Sequence, residues 1–295
     1  MERRGFLKTV GAAAGASLLG KAAMAEESSG PSTEFVGVLV DISRCTGCRK
    51  CEEACAEENG LPLPDIKDKS VFNSPRQTST DQLTVVNRYE TEKGTFFVKR
   101  QCMHCNQAAC ASACLVQAMK KTVSGPVIWR GDKCMGCRYC MLSCPFNVPK
   151  FQYDSANPEI RKCVLCYERL GRGEVPACVE GCPVEALTFG TRRQLLELAR
   201  SRIYTSPDKY VHEIYGEQEA GGTGWMYLSP VPFDQVGMNT EIQSTSYPAL
   251  TQDFLYSVPL VLFLWPSMLF AISRSRQGDN DSPEDGEHTD IEEVR

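Results

Sequence analysis

The spacing of the cysteines constrains the fold of this chain more than any other feature of the sequence. Sixteen of the 295 residues are cysteine, and they form four groups of four. The first and third groups have the spacing C-x2-C-x2-C-x3-C, whereas one gap is widened to four residues in the second group and to eleven in the fourth. The groups are Cys45, Cys48, Cys51 and Cys55; Cys102, Cys105, Cys110 and Cys114; Cys134, Cys137, Cys140 and Cys144; and Cys163, Cys166, Cys178 and Cys182.

Three kinds of chemistry compete to explain these groups. Disulfide scaffolds are usually short chains without a sufficient core, and three cysteines at a spacing of three are poorly placed for several bridges. Structural zinc takes two C-x2-C pairs, or Cys with His, which leaves the third and fourth cysteines of each run unexplained. In the bacterial ferredoxin run, three cysteines hold one cubane cluster and the fourth ligates a second cluster. The sixteen thiolates therefore predict four [4Fe-4S] clusters with four ligands each.

Composition excludes several other classes of protein. The formal net charge is −5, which argues against a nucleic-acid partner because phosphate binding needs clustered Lys and Arg. The mean hydropathy is negative, which excludes a protein with many membrane spans. None of the three histidines follows C-x-x-C, so c-type haem attachment is excluded. The absence of G-x-G-x-x-G leaves nothing in favour of a nucleotide cofactor.

The N-terminus has the pattern of an export signal. Arg3 and Arg4 precede a Gly/Ala-rich stretch and an A-x-A type site that ends at Ala25. Paired arginines of this kind resemble a twin-arginine signal, and an ordinary Sec signal is the alternative. Clusters assemble in the reducing cytoplasm, and an unfolded chain of sixteen thiols would form disulfides in an oxidising compartment. These considerations favour a route for folded proteins.

Residues 254–272 form an uncharged stretch that is long enough for one membrane-spanning helix. Pro259 and Pro266 lie inside it, and spanning helices tolerate interior prolines better than buried core helices do. Arg274 and Arg276 follow, so the positive-inside rule predicts a cytoplasmic C-terminus. The rest of the tail is acidic and free of aromatic residues, which is typical of disorder.

Short β-rich runs precede three of the cysteine groups, and a strand and an amphipathic helix follow the last one. The predicted strands are 35–41, 95–99, 127–130 and 186–189, and the predicted helix is 194–203. Residues 56–101 are predicted to be a polar insertion at the surface. Residues 204–250 are rich in Gly, Pro and aromatics, and either a docking arm or a packed surface extension would account for them.

A few residues near the cysteines have more than one interpretation. His104 lies between two predicted ligands, and we expect it to be either exposed or beside a cluster because no cysteine is missing. Basic residues also gather near the third and fourth groups, where they either form a solvated surface or offset the negative charge of the clusters. They are Lys133, Arg138, Lys150, Arg161 and Lys162.

Four segments carry a resemblance to a known family: RCTGCRKCEEAC, QCMHCNQAACASAC, KCMGCRYCMLSCPFNVPKF and KCVLCYERLGRGEVPACVEGCPVEALTFG. They resemble the four-cluster ferredoxin subunits of membrane-bound respiratory oxidoreductases, which are related to the beta subunits of formate dehydrogenase and DMSO reductase. Three further features are the export signal, the single span and the segment YGEQEAGGTGWMYLSPVPF. With these features, the chain is similar to the exported subunits of hydrogenase-2-type complexes. It is equally similar to the ferredoxin subunit of the high-molecular-weight cytochrome c complex. The first two groups depart from the ferredoxin run because Ala56 and Leu115 replace the proline after the fourth cysteine.

The resemblance implies an α+β fold of duplicated bacterial ferredoxin-like domains with nested pairing of the groups. The first and fourth groups would form one two-cluster lobe, and the second and third groups the other. The implied ligand sets are Cys45, Cys48, Cys51 and Cys182 for cluster 1; Cys163, Cys166, Cys178 and Cys55 for cluster 2; Cys102, Cys105, Cys110 and Cys144 for cluster 3; and Cys134, Cys137, Cys140 and Cys114 for cluster 4.

The expected organisation follows from these patterns together. It consists of a twin-arginine signal peptide over 1–25, a four-cluster ferredoxin domain over 26–203, a loop-rich docking extension over 204–250, a transmembrane helix over 251–273 and an acidic disordered cytoplasmic tail over 274–295. The resemblance implies an electron-transfer subunit without a substrate site of its own, on the periplasmic side of the inner membrane. Its implied partners are a periplasmic hydrogenase or multihaem cytochrome c and a quinone-linked integral membrane subunit, with a molybdopterin enzyme as the alternative catalytic partner.

Overall fold

The computed structural model describes residues 34–280 of the chain, and side chains through residue 275. The strands are β1 (Val36–Asp41), β2 (Val85–Thr91), β3 (Gly94–Arg100), β4 (Met119–Lys121), β5 (Val127–Trp129), β6 (Lys150–Phe151), β7 (Ile160–Arg161), β8 (Leu187–Thr191) and β9 (Trp225–Leu228). The helices are α1 (Lys50–Glu58), α2 (Ala109–Ser112), α3 (Tyr139–Leu142), α4 (Tyr167–Gly171), α5 (Ala177–Glu180), α6 (Arg192–Thr205) and α7 (Tyr247–Asn280). The predicted signal peptide lies outside the described residues.

β1 is the central strand of a three-stranded sheet. It pairs antiparallel with β8 and parallel with β9, so the strand order is β8-β1-β9. Val38 and Leu39 on β1 are fully buried because both sides of the sheet are covered. Gly37 has to be glycine for a steric reason, since a Cβ at that position would lie 2.3 Å from the carbonyl oxygen of Gly224. The sheet therefore joins the start of the described chain to segments that follow all four cysteine groups.

β2 and β3 form a hairpin that the sequence analysis did not foresee. Its strands pair in register from Val85 with Arg100 to Thr91 with Gly94. Val85, Val98 and Lys99 are buried, with exposed fractions of 0 to 2%. The prediction that residues 56–101 form a polar surface insertion is therefore wrong for the hairpin. Its inner half also buries the polar side chains of Asn87 and Lys99, which form hydrogen bonds with Arg76 and with Thr84 and Gln101, respectively.

The local predictions around the cysteines are confirmed with small changes of boundary. The four predicted strands correspond to β1, β3, β5 and β8, and the predicted helix corresponds to α6. α6 begins with a capping box, in which the Thr191 side chain accepts from the Gln194 backbone N–H and the Gln194 side chain accepts from the Thr191 N–H. Capping boxes and short periodic runs involve residues only a few positions apart, which is why they can be recognised in the sequence.

Residues 204–250 are mostly loop, as expected from the sequence, but part of the segment is buried in the body of the fold. Trp225 and the rest of β9 are buried, and Tyr215, Phe233 and Val236 join the main hydrophobic core. Much of this segment therefore belongs to the body of the fold. A docking role for its exposed residues stays a prediction.

α7 contains the predicted membrane span. Within the described residues, Tyr247–Ser275 is the one helix that is long and apolar enough to cross a membrane, and none of its apolar window is buried. Pro259 and Pro266 lie inside the helix as predicted. The helix runs through Asn280, so the tail expected to be disordered from residue 274 begins as helix. Residues 281–295 of that tail lie outside the described residues.

Candidate metal centres

The first and third cysteine groups adopt the same backbone path. A 3-10 turn ends just before Cys45 and before Cys134, and each cysteine donates its backbone N–H to a carbonyl three residues back. Two left-handed residues then flank the second cysteine of each group, with positive φ at Gly47 and Arg49 and at Gly136 and Arg138. This double reversal wraps the chain around the second cysteine. The third cysteine then lies in the first turn of a short helix, α1 or α3.

A second repeated turn follows the last cysteine of three groups. Gln117, Asn147 and Glu185 each have positive φ, and each donates its N–H to the carbonyl of the cysteine three residues earlier. Those cysteines are Cys114, Cys144 and Cys182. The second group makes this turn although Leu115 replaces the proline, so the proline is not required for it. After Cys55, which Ala56 follows, the chain instead continues as helix α1 to Glu58.

Two cavities bring together cysteines that are far apart in the sequence. One is lined by Cys45, Cys48, Cys51 and Cys182. The other is lined by Cys55, Cys163, Cys166 and Cys178. Each cavity combines three cysteines of one group with the fourth cysteine of the other. These are two of the four sets that the resemblance implies.

The remaining eight cysteines influence one another across the second and third groups. Burial raises the pKa of Cys105, and the nearby thiolates of Cys102, Cys144 and Cys110 raise it further. Burial raises the pKa of Cys140 to about 11, with further contributions from Cys114, Cys134 and Cys137. In each case the last cysteine of one group raises the pKa of a cysteine in the other group.

Neighbouring sets also influence each other in a fixed order. Cys178 of the second set raises the pKa of Cys51 in the first, after burial as the main cause. Cys102 of the third set has the same effect on Cys163 of the second. Cys140 of the fourth set has the same effect on Cys110 of the third. These influences link the first set with the second, the second with the third and the third with the fourth.

The chemistry of these donors fits iron–sulfur clusters. All sixteen cysteines lie within the described residues and none is in a disulfide. Burial makes the isolated thiolates costly, and a coordinating metal keeps a thiol deprotonated. Soft thiolate donors select Fe–S clusters, zinc or Cu(I). Among the residues described, no three Cys, His, Asp or Glu side chains converge tightly enough for a single ion.

Lys99 is a residue of the centres that the sequence analysis missed. Its side chain lines both cavities, and the residue is 2% exposed. Burial acts to lower the pKa of Lys99, but the thiolates of Cys178 and Cys51 outweigh burial and raise it above its usual value. Only the nonlocal packing of the hairpin brings this lysine to the cysteines, so no sequence motif could have identified it.

His104 and Lys162 are both buried, which narrows their interpretations. His104 is 1% exposed, so the exposed alternative is wrong. Its Nδ1 accepts a hydrogen bond of 2.9 Å from the Val127 N–H. Burial, followed by the charges of Lys162 and Lys121, lowers the pKa of His104 well below its usual value. Lys162 donates to the carbonyls of Val127 and Cys163, so it is not a solvated surface charge.

A buried ion-pair network braces the loop of the first group. Arg49 lies between Cys48 and Cys51, and its guanidinium is 3.0 Å from the Glu52 carboxylate. Arg76 contacts the same carboxylate at 2.6 Å, and the Val86 N–H donates to it at 2.6 Å. The network ties the first cysteine loop to the β2–β3 hairpin, and so to the strand that carries Lys99.

Comparisons with known proteins agree with this chemistry. Residues 94–192, which contain the last three cysteine groups, match the model of the 4Fe-4S dicluster domain. A protein of Nitratidesulfovibrio vulgaris is 47% identical over 289 residues, which cover 94% of this chain and 78% of that protein. The hydrogenase-2 operon protein HybA of Escherichia coli O157:H7 is 35% identical, over 81% of this chain and 84% of HybA. The nitrate-inducible formate dehydrogenase iron–sulfur subunit of Escherichia coli K12 is 35% identical, over 65% of this chain and 67% of that subunit.

Proposed function

Because the chain belongs to the family of electron-transfer iron–sulfur subunits of membrane oxidoreductase complexes, which includes HybA and the formate dehydrogenase iron–sulfur subunits, we propose that it is a relay with four [4Fe-4S] clusters. The observation that carries this proposal is that two cavities each combine three cysteines of one group with the fourth cysteine of another: Cys45, Cys48, Cys51 and Cys182 in one, and Cys55, Cys163, Cys166 and Cys178 in the other. A cluster held by four thiolates supplies one-electron redox chemistry. The residues of the chain hold the clusters, space them and shield them from water.

The proposed ligand sets are those implied by the resemblance. They are Cys45, Cys48, Cys51 and Cys182; Cys55, Cys163, Cys166 and Cys178; Cys102, Cys105, Cys110 and Cys144; and Cys114, Cys134, Cys137 and Cys140. The two lined cavities support the first two sets, and the mutual influence of the thiols supports the other two. The repeated turns around the cysteines support a duplicated ferredoxin-like domain within residues 26–203.

The pairwise influences between neighbouring sets support a row of four clusters and a linear path for electrons. The groove beside the start of α7 is lined by α2 and α3, which carry Cys110 and Cys140 of the third and fourth sets. The end of the row with the fourth set would then be nearest the membrane. We assign this end to an integral membrane subunit linked to quinone, and the other end to the catalytic partner.

A hydrogenase or multihaem cytochrome c is our preferred catalytic partner, and a molybdopterin enzyme is the alternative. The match to HybA covers 81% of this chain, whereas the match to the formate dehydrogenase subunit covers 65%. With every cysteine used as a ligand, no coordination position stays open for a substrate. We therefore assign the chain a role in electron transfer alone.

The proposed location is the periplasmic face of the inner membrane. The apolar helix Tyr247–Ser275 would anchor the protein there as its single span, with the C-terminus in the cytoplasm. Residues 1–25 would act as the twin-arginine signal, the segment 204–250 would offer its exposed residues to partners, and the acidic tail would extend beyond the span.

Chemical analysis of the anaerobically purified full-length protein tests the relay. We expect about sixteen iron and sixteen acid-labile sulfide per chain, because sixteen thiolates ligate four cubanes at four each. About one zinc per four cysteines, without sulfide, would disprove the relay.

Three single variants then test the ligand sets by EPR. Cys48→Ser and Cys182→Ser should perturb the same cluster signal, because both change the first set. Cys166→Ser is the matched control, since Cys166 shares a sequence group with Cys182 but belongs to the second set. If Cys182→Ser and Cys166→Ser perturb one signal and Cys48→Ser another, ligation is sequential and the nested sets are wrong.

A further inference from the structure

Lys99 occupies the space between the first two cysteine sets. It lies near the end of β3, and its side chain forms part of the wall of both cavities. On one side are Cys45, Cys48, Cys51 and Cys182, and on the other side are Cys55, Cys163, Cys166 and Cys178. Any charge on Lys99 therefore acts on both sites at once.

The immediate partners of the Lys99 ammonium are neutral. Nζ donates to Thr84 Oγ1 at 2.5 Å and to Gln101 Oε1 at 3.1 Å. It also lies 4.7 Å from the centroid of the Trp225 ring, which is itself fully buried. No carboxylate in the described part of the chain forms an ion pair with it. An isolated cation in such a place is strongly unfavourable unless anions stand nearby.

The negative charge that can balance the Lys99 ammonium lies in the two cluster sites beside it, where thiolates would be the ligands. A positive charge favours whichever state of a neighbouring group is more negative, and reduction adds one negative charge to a cluster. Net charge and solvent exclusion are among the factors that set cluster potentials, and Coulomb interactions are strong where water is excluded. A cation held between two cluster sites should therefore make both easier to reduce.

We propose that Lys99 is a fixed positive charge shared by the first two clusters, and that it raises the reduction potentials of both. This inference rests on the four-cluster relay proposed above. Lys99 is not a ligand, and it acts through the clusters on either side. Because the charge is shared, it shifts both potentials in the same direction.

The decisive variant is Lys99→Gln in the purified full-length protein. Glutamine removes the charge but can still donate hydrogen bonds to Thr84 and Gln101, so a purely structural role would be retained. We expect two of the four clusters to become harder to reduce in a redox titration followed by EPR. At a fixed solution potential, their ratio of reduced to oxidised form should fall at least about tenfold, which corresponds to about 59 mV for one electron.

Three further variants complete the test. Lys99→Met is a second neutral variant in case the amide packs poorly, Lys99→Arg should restore both potentials because it keeps the charge, and the exposed Lys120→Met is the matched control. Iron and sulfide are measured on every sample. Wild-type protein without clusters would refute the relay itself, whereas intact clusters with unchanged potentials in both neutral variants would refute the role of Lys99 alone.

Discussion

At the scale of single residues, the loop of the first cysteine group depends on one buried carboxylate. Glu52 receives contacts from Arg49 and Arg76, and the side chains of Arg49 and Glu52 are only 1% and 2% exposed. Arg49 also donates to the carbonyls of Asp65 and Asp68 at 2.6 and 3.0 Å. Glu52 therefore neutralises a cation next to the ligands and holds the following loop at the same time.

Glu52→Gln should destabilise the protein strongly. Glutamine keeps the shape but removes the negative charge, which leaves Arg49 buried without a compensating charge. Removing one partner of a buried pair typically costs about 3–5 kcal/mol, so we expect a clearly lower urea midpoint for the far-UV circular dichroism signal. The exposed Glu57→Gln on the same helix is the control and should leave the midpoint nearly unchanged. Equal midpoints for both variants would show that the network does not stabilise the fold.

The identity of the candidate ligands could be read from the sequence, but their surroundings could not. Cysteine spacing is a local property, and the number of thiolates limits the number of clusters. Lys99 and His104 offer no such signal, since the burial of each is decided by strands that pack against it from elsewhere in the chain. For the same reason, Lys162 looks like a surface charge until its contacts with Val127 and Cys163 are known.

At the scale of elements, predictions based on local pattern agree with the structure, and those that depend on distant pairing do not. β1, β5 and α6 were visible as short periodic runs. β9 was not, because a four-residue strand among Gly and Pro becomes a strand only by pairing with β1. The β2–β3 hairpin was hidden by its polar outer half, although its inner half is part of the core.

The anchoring helix α7 should be separable from the centres. A chain that ends at Gln252 should be released as a soluble protein with the same iron and sulfide content as the full chain. The physical reason is that the last cysteine, Cys182, lies far before the helix, and the apolar window of α7 is not buried in the body. The measurement is metal analysis and EPR of the soluble fraction, with detergent-extracted full-length protein as the control. Loss of iron on truncation would mean that α7 helps to form the centres.

At the scale of the whole molecule, the proposed export route would require the clusters to be assembled first. Replacing Arg3 and Arg4 by Lys should leave a cluster-loaded precursor in the cytoplasm, because sixteen free thiols would oxidise if the chain crossed unfolded. Cell fractionation followed by immunoblotting measures the outcome, and Lys8→Arg is the control that leaves the arginine pair intact. Normal periplasmic accumulation of the double variant would exclude the twin-arginine route.

The parallel pairing of β1 with β9 also means that the central sheet can be completed only late in the synthesis of the chain. Val38 faces Trp225, about 190 residues later in the chain. At ribosomal rates of about 5–20 residues per second, roughly 10–40 s separate the emergence of the two strands. For most of that interval β8 has not been synthesised either, so both edges of the apolar strand β1 are unpaired. Unpaired edges of this kind invite association with other nascent chains. β1 is therefore exposed to such association until β9, its partner from late in the chain, has been synthesised.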